Sequence, residues 1–123
     1  MKANTIMLSL FCVLLLGCDT DGLTSMPKIE VEIINHSTRE LEYAVARFGK
    51  YDCKWGRVGK TFSASYMFYP HPITSDAELH WDEPNGLRME KIDLRKIYPP
   101  GKSGRLTFTV YDDRVEVTFR EQP

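Results

Sequence analysis

From Lys28 to the end of the chain, apolar and polar residues alternate in short runs that are separated by turn-forming residues. Because successive side chains of a strand point to opposite faces, this period of two is typical of strands with one buried face. We predict about eight such strands. Their apolar positions are Ile29, Val31 and Ile33; Leu41, Tyr43 and Val45, with Ala44, Ala46 and Phe48 on the other face; Tyr51, Cys53 and Trp55; Phe62, Ala64, Tyr66 and Phe68; Ala77, Leu79 and Trp81; Leu87 to Ile92; Leu106, Phe108 and Val110; and Val115, Val117 and Phe119.

Turn signals recur about every dozen residues, and the only helical pattern is a single turn at residues 93–97. This spacing predicts an all-β fold, a small antiparallel β-sandwich of about seven or eight strands. In strand number and length the chain resembles immunoglobulin-like and fibronectin type III-like sandwiches. It lacks the second cysteine of the immunoglobulin inter-sheet disulfide, because Cys53 has no partner in the domain. Trp55 and Trp81 are the large side chains that we expect in the core.

The first eighteen residues follow a different pattern. Lys2 precedes an apolar run, Ile6 to Leu16, which at about 11 residues is half of the ~20 that span a bilayer as a helix. Such a run is typical of a secretory signal peptide. It ends in Leu15-Leu16-Gly17-Cys18, which resembles the bacterial lipobox. That resemblance implies cleavage between Gly17 and Cys18, with acyl chains on Cys18 that hold the mature protein at the membrane.

The chain therefore divides into a signal peptide (1–17), a lipidated N-terminus and tether (18–27) and a β-sandwich domain (28–123). The tether is polar and reaches at most about 30 Å, so the domain stays near the membrane surface. We expect a lipid-anchored protein of the bacterial cell envelope that faces the periplasm. Asp19 follows the lipidated cysteine, which by the sorting rule of enteric-type bacteria favours the inner membrane over the outer.

Composition limits the chemistry. Cleavage removes Lys2 and no acidic residue, so 15 basic residues remain against 17 acidic ones, a formal net charge of −2. Neither this balance nor the compartment suits a nucleic-acid partner. With Cys12 discarded and Cys18 lipidated, Cys53 remains without a disulfide partner, and we expect it to be a buried, inert thiol.

One segment combines cations with aromatic residues. Arg47, Lys50, Lys54, Arg57 and Lys60 are interleaved with Phe48, Tyr51 and Trp55, and His71 stands between two prolines in a nearby loop. This mixture suits an anionic partner, which could be a lipid headgroup, a glycan or an acidic protein face. In the alternative interpretation, the aromatic residues point inward and the cations keep an edge strand soluble.

A second segment carries weak metal-binding candidates. Asp76, Glu78, His80 and Asp82 share one face of the predicted fifth strand. A single strand rarely supplies three ligands to one ion, and the chain has no zinc-ligand spacing. The solvated face of an amphipathic strand is the favoured explanation of the row, and we predict no cofactor.

These observations favour a non-enzymatic lipoprotein that binds another component of the envelope. One alternative is an immunity or inhibitor lipoprotein that neutralises a periplasmic toxin or hydrolase. Another is a metal-binding protein or metal-dependent enzyme that uses Asp76, Glu78 and His80. No nucleophile elbow or phosphate-binding loop is present in the sequence.

Overall fold

The computed structural model describes residues 26–122. The predicted signal peptide and Cys18 lie outside the described residues. Eight β-strands make up the fold, and no helix occurs between residues 26 and 122. The strands are β1 (Ile29–Asn35), β2 (Leu41–Phe48), β3 (Tyr51–Val58), β4 (Ser63–Tyr66), β5 (Asp76–Glu83), β6 (Gly86–Asp93), β7 (Gly104–Val110) and β8 (Val115–Glu121).

The strands form two four-stranded sheets, which confirms the predicted all-β sandwich. One sheet has the order β4-β1-β7-β8, called sheet A here, and the other has the order β3-β2-β5-β6, called sheet B. Five of the six strand pairings are antiparallel, but β1 and β7 pair in parallel at the centre of sheet A. This parallel pair is the one exception, among the described residues, to the predicted antiparallel pairing.

Strand β2 differs from its predicted pattern of faces because it contains a bulge. Tyr43 has a positive φ of 51°, its neighbour Ala44 pairs with Gly56, whose φ is 78°, and the pairing with β3 shifts register on both sides of Ala44. A bulge inserts one extra residue and therefore exchanges the faces of the residues that follow it. As a result Leu41 joins Ala44 in the core, whereas Tyr43 is 72% exposed.

Strand β4 is shorter than the predicted strand that includes Phe62, Ala64, Tyr66 and Phe68. Only Ser63–Tyr66 pairs with β1, at one edge of sheet A. The predicted apolar face is not a core face, since Phe62 and Phe68 are exposed. The buried aromatic residue of this segment is Tyr69, which lies beyond the strand and donates its backbone N–H to the Ile29 carbonyl at 2.9 Å.

The core fills the space between the sheets. Its largest members include Phe48, Phe108 and Leu79, and the predicted core residue Trp81 is also buried. Trp55 is only partly buried: it packs edge-on against Phe108. The single turn predicted at residues 93–97 is present, since the backbone N–H of Tyr98 donates to the Leu94 carbonyl at 2.9 Å.

The sandwich has two ends, which are defined by the strand register. The N-terminal pole consists of residues 26–28, the β2–β3 turn (49–50), the β4–β5 loop (67–75) and the β6–β7 loop (94–103). The distal pole consists of residues 36–40, 59–62, 84–85 and 111–114. Strand β1 runs from the first to the second, and at ~3.3 Å per residue it separates them by about 20 Å.

Candidate functional site

The basic segment is only partly available to a partner, because its two arginines are paired. Arg47 donates to Asp52 at 2.9 Å across the β2–β3 pair, and this bond lowers the pKa of Asp52. Arg57 forms ion pairs with Glu42 on β2 and with Glu40 in the loop that precedes β2. Because nearby carboxylates balance the charge of each arginine, these ion pairs present little net positive charge to an external anion.

Lys50, Tyr51 and His71 come together at the N-terminal pole. The rings of Tyr51 and His71 stack with centroids 4.0 Å apart and an interplanar angle of 2°. The Lys50 ammonium lies 5.3 Å from the centroid of the Tyr51 ring. These three side chains were predicted from two separate stretches of sequence, and the structure brings them into one cluster, called the Lys50–Tyr51–His71 cluster below.

The other two lysines of the segment, Lys54 and Lys60, do not contact the cluster's rings. Lys54 is exposed along β3, an edge strand of sheet B, and Lys60 is exposed in the β3–β4 loop at the distal pole. Within residues 26–122, neither of these lysines nor Lys50 has a carboxylate within ion-pair distance. The predicted site is therefore centred on Lys50, Tyr51 and His71, with Lys54 on its flank.

Beside the cluster is an apolar cavity that the sequence pattern did not predict. Its volume is about 270 Å³. It is lined mostly by prolines and apolar or aromatic side chains: Met26, Pro27, Ile29, Tyr69, Pro70, His71, Pro72, Ile73, Tyr98, Pro100 and Gly101. The Tyr69 hydroxyl is buried and has no hydrogen-bond partner among the described residues, and burial raises the pKa of Tyr69 to about 12. His71 belongs to both the cluster and the cavity, which joins a cationic surface to an apolar one.

The weak metal candidates do not converge on a common point. His80 and Glu78 are in contact, with Nε2 and Oε2 3.1 Å apart. Glu78 also lies opposite Arg47 on β2 and Lys91 on β6, so cations flank it on both neighbouring strands. Across residues 26–122, no three His, Cys, Asp or Glu side chains are close enough to hold a metal ion. At Glu78 the strand register forms an Arg47–Glu78–Lys91 ladder of alternating charge on the solvated face of sheet B.

Cys53 is fully buried in the core, as predicted. Burial raises the pKa of its thiol to about 12, so the reactive thiolate is scarce at neutral pH. The thiol is well suited to packing and poorly suited to nucleophilic or redox chemistry.

A polar pocket of about 380 Å³ at the distal pole was also not predicted. Leu41, Trp81 and Val110 contribute apolar lining, and Arg39 and Glu83 pair at 3.3 Å beside them. Its charged groups are largely paired with one another, so it offers little net charge to a ligand. No signal in the sequence brings these residues together, because they come from β2, β5, β7 and the connecting loops.

No protein-family model and no curated protein matches this chain. A solved structure is similar to it: an NMR structure of a protein from Eubacterium rectale, with a TM-score of 0.52 and 10% sequence identity. The match covers 80% of this chain and 94% of that chain. At this identity the likeness concerns the fold alone, and it agrees with the two-sheet sandwich. The described residues contain no helix long and apolar enough to cross a membrane.

Proposed function

We propose that this protein is a lipid-anchored, non-enzymatic binding module of the bacterial cell envelope. It is held at the membrane by acyl chains on Cys18 and binds an anionic envelope component through Lys50, Tyr51, Lys54 and His71. The observation that carries the binding surface is the Lys50–Tyr51–His71 cluster, in which two stacked rings lie next to a lysine that no carboxylate neutralises within residues 26–122. Cation and ring together provide charge and contact area for an anionic group.

Two further observations support a binding role over catalysis. The cysteine of the domain is buried with a raised pKa, and Glu78 in the acidic row on β5 is flanked by cations on both neighbouring strands. Neither group is arranged as a nucleophile with its base or as a metal site. The proposed surface is instead an exposed combination of charge and aromatic rings.

The anchor is tested by Cys18→Ala. Because the lipid is added to the cysteine thiol before cleavage, this variant should accumulate as the uncleaved precursor without attached lipid. Mass spectrometry of the purified protein distinguishes the precursor from the mature lipidated form. Cys12→Ala is the matched control and should mature normally. Efficient maturation of Cys18→Ala would refute the lipid anchor.

The binding surface is tested by a charge reversal, Lys50→Glu with Lys54→Glu. This double variant should lose crosslinked partners that the unchanged lipoprotein captures from native envelopes, since it replaces two cations at the proposed site by two anions. Lys60→Glu with Arg114→Glu makes the same change of net charge at exposed positions of the distal pole and should retain them. If the two double variants capture the same components, the cluster is not the binding surface.

A further inference from the structure

The exposed apolar side chains of the N-terminal pole form one continuous surface. Met26, Met67 and Phe68 are 72%, 57% and 71% exposed, and all three line a groove of about 430 Å³ together with Lys28. Met26 also lines the proline-rich cavity that contains His71. The groove is thereby connected through Met26 to the Lys50–Tyr51–His71 cluster. Large exposed apolar patches on a small soluble domain mark interaction surfaces.

The charges around this surface are mostly cationic or neutralised. Glu30 accepts a hydrogen bond from Arg105 at 2.6 Å, and Glu121 pairs with Lys102 at 3.7 Å. Lys28 and Lys50 have no ion-pair partner among residues 26–122. Apolar side chains with a rim of unpaired lysines are the combination that binds an anionic lipid surface, because both burial and attraction to headgroups contribute.

The position of the anchor favours the same partner. Met26 is eight residues from Cys18, so the extended chain between them spans at most about 29 Å. A lipid on Cys18 therefore keeps Met26, at the N-terminal pole, within about 29 Å of the bilayer surface, whereas the distal pole can lie about 20 Å farther away along β1. Tethering at this short distance also raises the effective concentration of the bilayer at the apolar groove.

We infer that the N-terminal pole docks onto the anionic surface of the bilayer that holds the lipid anchor. Phe68, Met67 and Met26 enter the interface between headgroups and acyl chains, while Lys28 and Lys50 contact phosphate groups. This inference rests on the proposed function and specifies it: the anionic envelope component is the phospholipid surface itself. The sandwich then stands on the membrane with its distal pole toward the periplasm.

The test uses the mature lipidated protein in vesicles of phosphatidylethanolamine and phosphatidylglycerol. A bimane fluorophore is attached at Gln122→Cys, an exposed position that lines the groove, or at Asn85→Cys in the β5–β6 turn of the distal pole. Lipids with a nitroxide on the acyl chain quench only fluorophores near the hydrocarbon boundary. We expect severalfold stronger quenching at position 122 than at position 85, with a decrease in phosphatidylcholine vesicles or at high salt.

Docking is then removed without removing the anchor. Met67→Ser with Phe68→Ser should reduce quenching at position 122 severalfold while the protein stays attached to vesicles. The control is Tyr43→Ser with Leu87→Ser, which removes two apolar side chains of similar exposure, 72% and 65%, outside the pole. This control should leave the quenching unchanged.

Two outcomes would overturn the inference. Equal quenching at both positions in vesicle-attached protein would mean that the domain has no fixed orientation. A blue shift at position 122 that does not require vesicles would indicate that the groove binds a second copy of the chain. Failure of the proposed anchor has a different signature, since the purified protein would then carry no lipid and neither labelled form would attach to vesicles.

Discussion

Replacing Asn35 by alanine is expected to destabilise the domain by about 2–4 kcal/mol, although the residue lies at the end of a strand beside a turn. Its side chain is fully buried. The amide Nδ2 donates to the carbonyls of Arg39, Val58 and Gly59 at 2.8, 3.1 and 3.2 Å. Oδ1 accepts from the backbone N–H of Ser37 at 2.9 Å and from its hydroxyl at 2.6 Å.

This amide joins the β1–β2 turn to the end of β3. In the alanine variant, the three carbonyls and the Ser37 groups would all lose their hydrogen bonds to the Asn35 side chain. Buried polar groups that lose their partners bear their full desolvation cost, which is larger than the net gain from an average hydrogen bond. We therefore expect the loss to reach most of the distal pole. Urea unfolding followed by circular dichroism measures it.

Two variants separate the hydrogen bonds from other effects. Asn85→Ala makes the same substitution at an exposed turn residue and should change stability by less than about 0.5 kcal/mol. Asn35→Asp keeps the shape and the acceptor for Ser37 but places an oxygen against three carbonyl oxygens. It should therefore destabilise at neutral pH at least as strongly as alanine. If Asn35→Asp is neutral, the amide donor has no structural role.

The hydrogen bonds of Asn35 could be predicted only in part from the sequence. Its place in a turn follows from local chemistry, since asparagine and serine side chains favour such positions. Its contacts with Val58 and Gly59 lie more than twenty residues along the chain. Those contacts depend on how β3 leaves sheet B, and no periodicity encodes that path.

The regular strands were predictable because one face of each is buried. Ile29, Val31 and Ile33 in β1 and Leu106, Phe108 and Val110 in β7 lie in the core as the alternation indicated. The pattern fails where the strand is irregular. The bulge at Tyr43 exchanges the faces of β2, and at the sheet edge β4 leaves Phe62 and Phe68 in solvent. An alternating pattern alone does not reveal a bulge or an unburied edge.

The residue types of the candidate site could be predicted from the sequence, but which of its cations are free to bind a partner could not. Composition identified a cationic and aromatic segment and a rigid His71 loop, which the structure joins through the Tyr51–His71 stack. It did not reveal that Arg47 and Arg57 are occupied by carboxylates on β2 and its neighbours. Ion pairs between strands depend on register, which local sequence does not specify. The apolar groove at the N-terminal pole was missed for the same reason, since its residues come from four separate segments.

The second large effect is expected for Trp81→Ala, which should cost about 3–5 kcal/mol. Trp81 is 2% exposed and faces the core from β5. This strand lies between β2 and β6 in sheet B and pairs with both. The truncation removes the largest side chain of that strand and leaves a void beside Leu41 and Val110, which line the distal pocket with it. The core cannot close fully around the space that the indole leaves. The lost packing contacts therefore lower the free energy of unfolding in addition to the lost burial of apolar surface.

Trp81→Phe is the matched variant, because it keeps one aromatic ring in the core while it removes the indole N–H, which donates to Glu83 at 3.1 Å, together with part of the indole volume. That bond lies at the partly exposed rim, so the phenylalanine variant should lose less than about half as much stability as alanine. Urea unfolding of both variants distinguishes packing from hydrogen bonding. Equal losses would assign the stability to the Glu83 contact, whereas a near-neutral alanine variant would place Trp81 outside the core and contradict the sheet packing described above.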